Sequence, residues 1–158
     1  MITPEQSALL RRQAEIEMRA HSLGLALSLW AKTEEWQGSH KWLGRFSKEC
    51  RKHVKGVCKF IADYAAMPVS VPGVADCPCT ATSLEDCYQQ IMSAVQEAQE
   101  GWQSVSASAG PTKALEEFCD RYLDENIVLI KTLNRHLKRL SQIGGDQAAL
   151  LIWDRDRE

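Results

Sequence analysis

The sequence predicts an all-α fold, a four-helix bundle with a long crossover between helices 2 and 3 and a short fifth helix at the C-terminus. Three observations predict it. Apolar residues recur at helical spacing through nearly the whole chain of 158 residues. One interior stretch, residues 67–82, lacks that period and carries Pro68, Pro72, Gly73 and Pro78. The segments on either side are long enough to need such a connection if they are to run parallel.

The first helix is expected at about residues 4–32. Leu9, Ile16, Leu23 and Trp30 recur every seven residues, with Ala20 and Leu27 between them. Thr3-Pro4-Glu5-Gln6 supplies an N-cap, a proline at the first helical position and a capping-box glutamine. The second helix is expected at 39–65, started by Gly38-Ser39 and stopped before Pro68. Its stripe reads Trp42, Phe46, Cys50, His53, Val57, Phe60 and Tyr64. Its outer faces carry Arg45, Lys48, Arg51, Lys52, Lys55 and Lys59, an unusually basic run whose default reading is a solvated face.

Loops as long as 67–82 are uncommon inside a compact domain. Helices of about 26 residues are roughly 40 Å long. Sixteen extended residues reach about 50 Å, enough to return along the bundle. Thr82-Ser83-Leu84-Glu85 then caps a third helix, expected at 83–106, with Leu84, Tyr88, Ile91, Val95, Ala98, Trp102 and Val105 inward. The fourth, 112–142, carries Leu115, Cys119, Tyr122, Asn126, Leu129, Leu133, His136 and Leu140 and stops at Gly144-Gly145. Residues 146–155 are expected to form a short fifth helix whose Leu150, Leu151 and Trp153 pack on a neighbouring subunit or fold back on its own chain, the former being favoured.

Composition narrows the function classes. Apolar content is 44%, charged content 25% and net charge −2, with a pI near 6.1. General affinity for nucleic acid or an anionic membrane is not expected. No apolar run approaches the roughly 20 residues that span a bilayer, and no signal-peptide h-region opens the chain, so a cytoplasmic location is expected. The six cysteines are expected to be thiols there. Cys77-Pro78-Cys79 is a lone C-x-C that matches no zinc module.

At mid-height the stripes place Glu17 of the first helix, Cys50 and His53 of the second and Asn126 of the fourth near the inward face. Each has an ordinary reading: a hydrogen-bonded core histidine, a glutamate reaching solvent, an asparagine bonded to backbone, a cysteine used as a small hydrophobe. Their shared level favours a function, because polar groups converging inside a bundle are costly unless they satisfy one another or a metal.

With these residues in place the sequence resembles a ferritin subunit of the animal type over nearly its whole length. Gln13-Ala14-Glu15-Ile16-Glu17 resembles the family's first metal-ligand region, and Lys48-Glu49-Cys50-Arg51-Lys52-His53 resembles its E-E-x-x-H. Tyr122-Leu123-Asp124-Glu125-Asn126 with Leu129-Ile130-Lys131 resembles the fourth-helix Y-L-x-E-Q…I-K, and Arg139–Gly145 the end of that helix. The resemblance implies a shell of 24 subunits storing iron as a ferric mineral, in which catalytic subunits oxidise Fe(II) at a di-iron centre. This chain could assemble alone or mixed with such subunits.

Carried over residue by residue, Glu17 and His53 match first-site ligands, and Glu49 and Glu125 match outer glutamates lying toward the cavity. The bridging glutamate is Cys50 here, the third-helix glutamate is Val95, and the fourth-helix glutamine is Asn126. Leu129 stands where some microbial members have a further glutamate, and Gly24 where a tyrosine is expected. A second iron would lack anionic ligands, so weak or absent ferroxidase activity is expected. Cavity positions that carry nucleating carboxylates in other subunits read Arg45, Lys48, Glu49 and Lys52, a lining that repels Fe(II). Of the acidic three-fold pore, Glu116 is near one carboxylate position and Cys119 occupies the other.

Three functions remain open on sequence: an iron-storage subunit with a partial site at Glu17, His53, Glu49, Cys50, Asn126 and Glu125; a structural shell protein that has abandoned iron; and a single-site zinc binder at Cys50, His53 and Glu17.

Overall fold

A computed structural model describes residues 1–77 and 79–157; Pro78 of the expected loop and Glu158 of the expected domain lie outside the described residues. Among the described residues five helices follow in chain order: α1 (Pro4–Thr33), α2 (Gln37–Ala65), α3 (Leu84–Ala107), α4 (Lys113–Ile143) and α5 (Gln147–Arg155).

The capping box forms. The Thr3 hydroxyl accepts from the Gln6 amide at 3.1 Å and the Gln6 side chain accepts from the Thr3 amide at 2.9 Å. α1 ends in a Schellman turn, with the Trp36 amide donating to the Ala31 carbonyl and the Glu35 amide to that of Lys32. Glu35 takes the left-handed position at φ 63°, where glycine is the usual residue. α2 therefore begins at Gln37, ahead of the expected Gly38-Ser39 start, with no side-chain cap from its own N-cap residue, Trp36.

The cap comes from the far end of the chain. The Asp154 carboxylate, buried in α5, accepts from the Gly38 amide at 3.0 Å and the Ser39 amide at 2.8 Å. A carboxylate at a helix N-terminus satisfies free N–H groups and opposes the helix dipole. This bond also corrects the expected placement of α5. The helix folds back on its own chain, with Trp153 packed in the core beside Tyr88, while the large apolar side chains of Leu151 and Ile152 stand exposed.

α1 packs on α2 and α3, and α3 on α4. The α1–α2 seam is close because it is built from small residues. A Cβ at Gly24 would lie 2.7 Å from the Phe46 ring and 3.2 Å from the Ser47 Cβ. Ser47 Oγ donates to the His21 carbonyl at 2.8 Å, and Ser28 Oγ donates to the His40 carbonyl at 2.9 Å, so the seam repeats itself about Gly24 and Gly44.

The crossover between α2 and α3 is anchored at both ends. Val69 packs on one apolar cluster, Cys79 and Ala81 on the other. Gln90 Nε2 also donates to the Thr80 carbonyl at 3.0 Å. Cys77 and Cys79, whose redox state the sequence leaves open, are joined as a disulfide and so depart from the default of thiols. Their Cα atoms are 5.4 Å apart, inside the bonding range. No described helix is long and apolar enough to cross a membrane.

The core divides into two clusters. One surrounds Leu27, Leu43, Tyr88, Ile91 and Leu133; the other surrounds Leu10, Val57, Ile61, Trp102 and Leu115. Between them lies a polar waist.

Candidate metal centre

The waist brings Glu17, Cys50, His53 and Asn126 around one cavity of about 30 Å³, with Glu49 at its edge and Ala20, Phe46, Val95, Ala98 and Leu129 among its walls. That volume admits one or two waters. It lies at the level the sequence marked, but its chemistry is that of a closed network.

Glu17 is 2% exposed, and both its oxygens are engaged. Oε1 accepts from Trp102 Nε1 at 2.9 Å, while Oε2 lies 3.2 Å from His53 Nδ1. The other imidazole nitrogen, Nε2, lies 3.2 Å from Glu125 Oε2. A ring with a carboxylate at each nitrogen is best satisfied as imidazolium, donating at both. Burial pulls the His53 pKa down, but the hydrogen bond and charge of Glu17, followed by the charge of Glu125, outweigh it and leave it above the usual 6.5. Both ring nitrogens of His53 therefore face carboxylate oxygens, an arrangement that favours the protonated ring.

The remaining donors are neutral or turned away. Burial, reinforced by the charges of Glu17 and then Glu49, pushes the Cys50 thiol well above its ordinary pKa of 9.0. Zinc at Cys50 would need a thiolate beside two carboxylates. Asn126 is buried and, among the described residues, its Nδ2 has no hydrogen-bond partner in the protein, so it does not bond to their backbone through that atom. Glu49 pairs with Lys52 at 2.6 Å on the exposed side of α2. Among the described residues no three His, Cys, Asp or Glu side chains are placed to hold a metal ion.

Trp102 is the residue the sequence reading missed. It was assigned to the apolar stripe of α3, yet an indole N–H in a core has to find an acceptor, and Glu17 is that acceptor. Its ring stacks on Tyr122 with centroids 4.4 Å apart. Tyr122 in turn lies edge-on to His53 and receives a hydrogen bond from Arg121 at 3.0 Å. Gly56 leaves room for this arrangement, since a Cβ there would meet the Tyr122 hydroxyl.

Comparison with known proteins agrees with this architecture. Two crystal structures of a novel open-pore ferritin from the hyperthermophilic archaeon Archaeoglobus fulgidus are similar, each at 19% identity and TM-score 0.92, covering 99% of this chain and 98% of theirs. A form of that ferritin engineered to be closed gives TM-score 0.91 at the same identity, over 99% of this chain and 96% of its own. At this identity the likeness shows the fold. No curated protein matches the sequence. The ferritin-like domain model of the ferritin family matches residues 7–143, most of the length and the whole four-helix bundle up to the end of α4, and on that ground the chain belongs to the ferritin family.

Proposed function

We propose that this chain is a shell-forming subunit for iron storage in the cytoplasm whose own oxidation centre is closed. The observation that carries the reading is the saturation of Glu17 by Trp102 and His53. A first Fe(II) at Glu17 and His53 has to break the His53–Glu17 contact and take an oxygen that Trp102 already holds. A second iron would sit against Cys50, Val95 and Asn126, none of which brings a negative charge. Hard ferric ions need anionic oxygen ligands, and desolvating a cation without them is prohibitive. What stays supported is a partial, weak iron position at Glu17 and His53, with Glu125 and Glu49 on the outer side. A shell of 24 subunits, alone or mixed with catalytically active ferritin subunits, fits the family and leaves oxidation to those subunits.

The test is purified full-length protein, sized by light scattering and then given Fe(II) in air. The expected result is a large closed particle that oxidises Fe(II) at the buffer rate and gains oxidation only when co-assembled with an active ferritin subunit. A fast burst of two Fe(II) per chain from this chain alone sinks the closed centre. Assembly with no iron retained even in mixed shells supports instead a purely structural shell protein, the reading favoured by the basic side chains Arg45, Lys48 and Lys52.

A further inference from the structure

The outer face of α2 carries a feature that the waist does not use. Lys41, Arg45, Lys48, Lys52, Lys55 and Lys59 follow one another in steps of four and three, the spacing that keeps side chains on one face of a helix. All six are exposed. Eighteen residues of rise make a stripe about 27 Å long. Residues 41–59 hold seven basic side chains against the single acid Glu49, a charge of +6 in a chain whose total is −2, so the remainder carries −8.

The middle of the stripe is not fully neutralised locally. Lys52 pairs with Glu49 and Lys59 with Asp63, each pair more than half exposed and so worth little. Among the described residues Lys48 and Lys55 have no acidic partner within salt-bridge distance. Like charges four apart destabilise a helix by a few tenths of a kcal/mol per pair. A stripe of six carries that cost along its whole length.

We infer that this stripe is a binding surface for inorganic phosphate. Ammonium groups spaced along a helix concentrate a multivalent oxyanion and exclude divalent cations. The stripe is one side chain wide, and its aromatic neighbours Trp42 and Phe46 are turned into the core. It therefore lacks the exposed rings on which single-stranded nucleic acid stacks, and the acidic remainder of the chain opposes a duplex. The choice of a small anion over a macromolecule rests on the proposed shell, with this face turned to the enclosed space.

The experiment is equilibrium dialysis of the iron-free protein against radiolabelled inorganic phosphate at low salt, with particle size measured in parallel. Retained phosphate should fall at least five-fold in K48E/K52E/K55E, and also when sodium chloride rises from 20 to 300 mM, which shortens the screening length from roughly 20 Å to about 6 Å. The control K32E/K113E/K138E makes the same change in net charge elsewhere and should keep its phosphate. K48Q/K52Q/K55Q repeats the test without charge reversal if the first variant folds poorly. Equal loss in stripe and control variants, or no retention by the unaltered protein, overturns the inference. Loss of the large particle with phosphate retained overturns the shell and leaves phosphate binding standing.

Discussion

Trp102 donates its indole N–H to a carboxylate oxygen that has almost no contact with water. A hydrogen bond to a charged, buried acceptor contributes about 1.5–3 kcal/mol, well above an ordinary neutral bond. Trp102→Phe keeps an aromatic ring against Tyr122 but removes the donor, so it should lower the thermal midpoint by roughly 5–10 °C at about 2–4 °C per kcal/mol for a chain of this size. Stacking loss alone would give a similar number, and the double-mutant cycle with Glu17→Met, which removes the acceptor, separates the two. A coupling of about 1–2 kcal/mol between the positions is expected; additive costs would mean the bond contributes nothing. The waist was legible in sequence as a level at which Glu17, Cys50, His53 and Asn126 converge, since each lies on its own helix stripe. What closes it was not legible. Whether Trp102 reaches Glu17, and whether Gly24 marks a missing tyrosine or a close seam with Phe46, depends on the rotation of one helix against another, which periodicity along one helix does not specify.

The elements themselves follow local rules, so the five helices and the crossover were readable from apolar spacing, caps and the Pro- and Gly-rich break. The exceptions are links between distant segments. Asp154 caps α2 across a sequence separation of 116, and Arg157 donates to His136 Nδ1 at 3.1 Å while lying over the Trp153 ring at 4.5 Å. Together these bonds hold α5 against α2 and α4. His136 is enclosed edge-on by Trp42, Tyr88 and Trp153, and burial first, then the charges of Arg157 and Arg135, push its pKa down to about 4. The unfolded chain takes up this proton near 6.5, so between pH 6.5 and about 4 the unfolded state binds more protons than the folded one. The stabilisation is complete above 6.5 and is lost as pH falls through that window, by at most about 3 kcal/mol. Protonation also removes the acceptor for Arg157, so α5 should loosen with it. Urea midpoints at pH 7 and pH 4.5 should differ by less in His136→Asn than in the unaltered protein, and the Trp emission should shift toward that of exposed indole in the same window. Identical pH dependence in both proteins would show that His136 is not the group responsible.

At the scale of the whole molecule, two apolar clusters are held apart by a waist that keeps polar groups at a cost. Asn126 illustrates it: 5% exposed, with an amide nitrogen that finds no protein partner among the described residues beside a cavity of about 30 Å³. An unmet buried donor costs about 1–3 kcal/mol, and an apolar side chain of similar size would remove that cost and fill space now unoccupied by protein atoms. Asn126→Leu should therefore stabilise the folded chain by about 1–2 kcal/mol, a direction opposite to that of most substitutions in a core. Overpacking works against this, since leucine is bulkier than asparagine, but the added volume is comparable to the cavity beside it. The measurement is the urea midpoint of the full chain with the slope of the transition checked for constancy. A lower midpoint would mean that Asn126 is bonded through its oxygen more strongly than its orphaned nitrogen costs. The same variant bears on iron. If the waist still serves as a partial metal position, Asn126→Leu should weaken Fe(II) binding while it raises stability. If the waist has become structural filling, iron retention by mixed shells stays the same and only the stability changes. A rise in stability with a fall in iron binding would place this site among those where a protein keeps a locally unfavourable residue because the site is used.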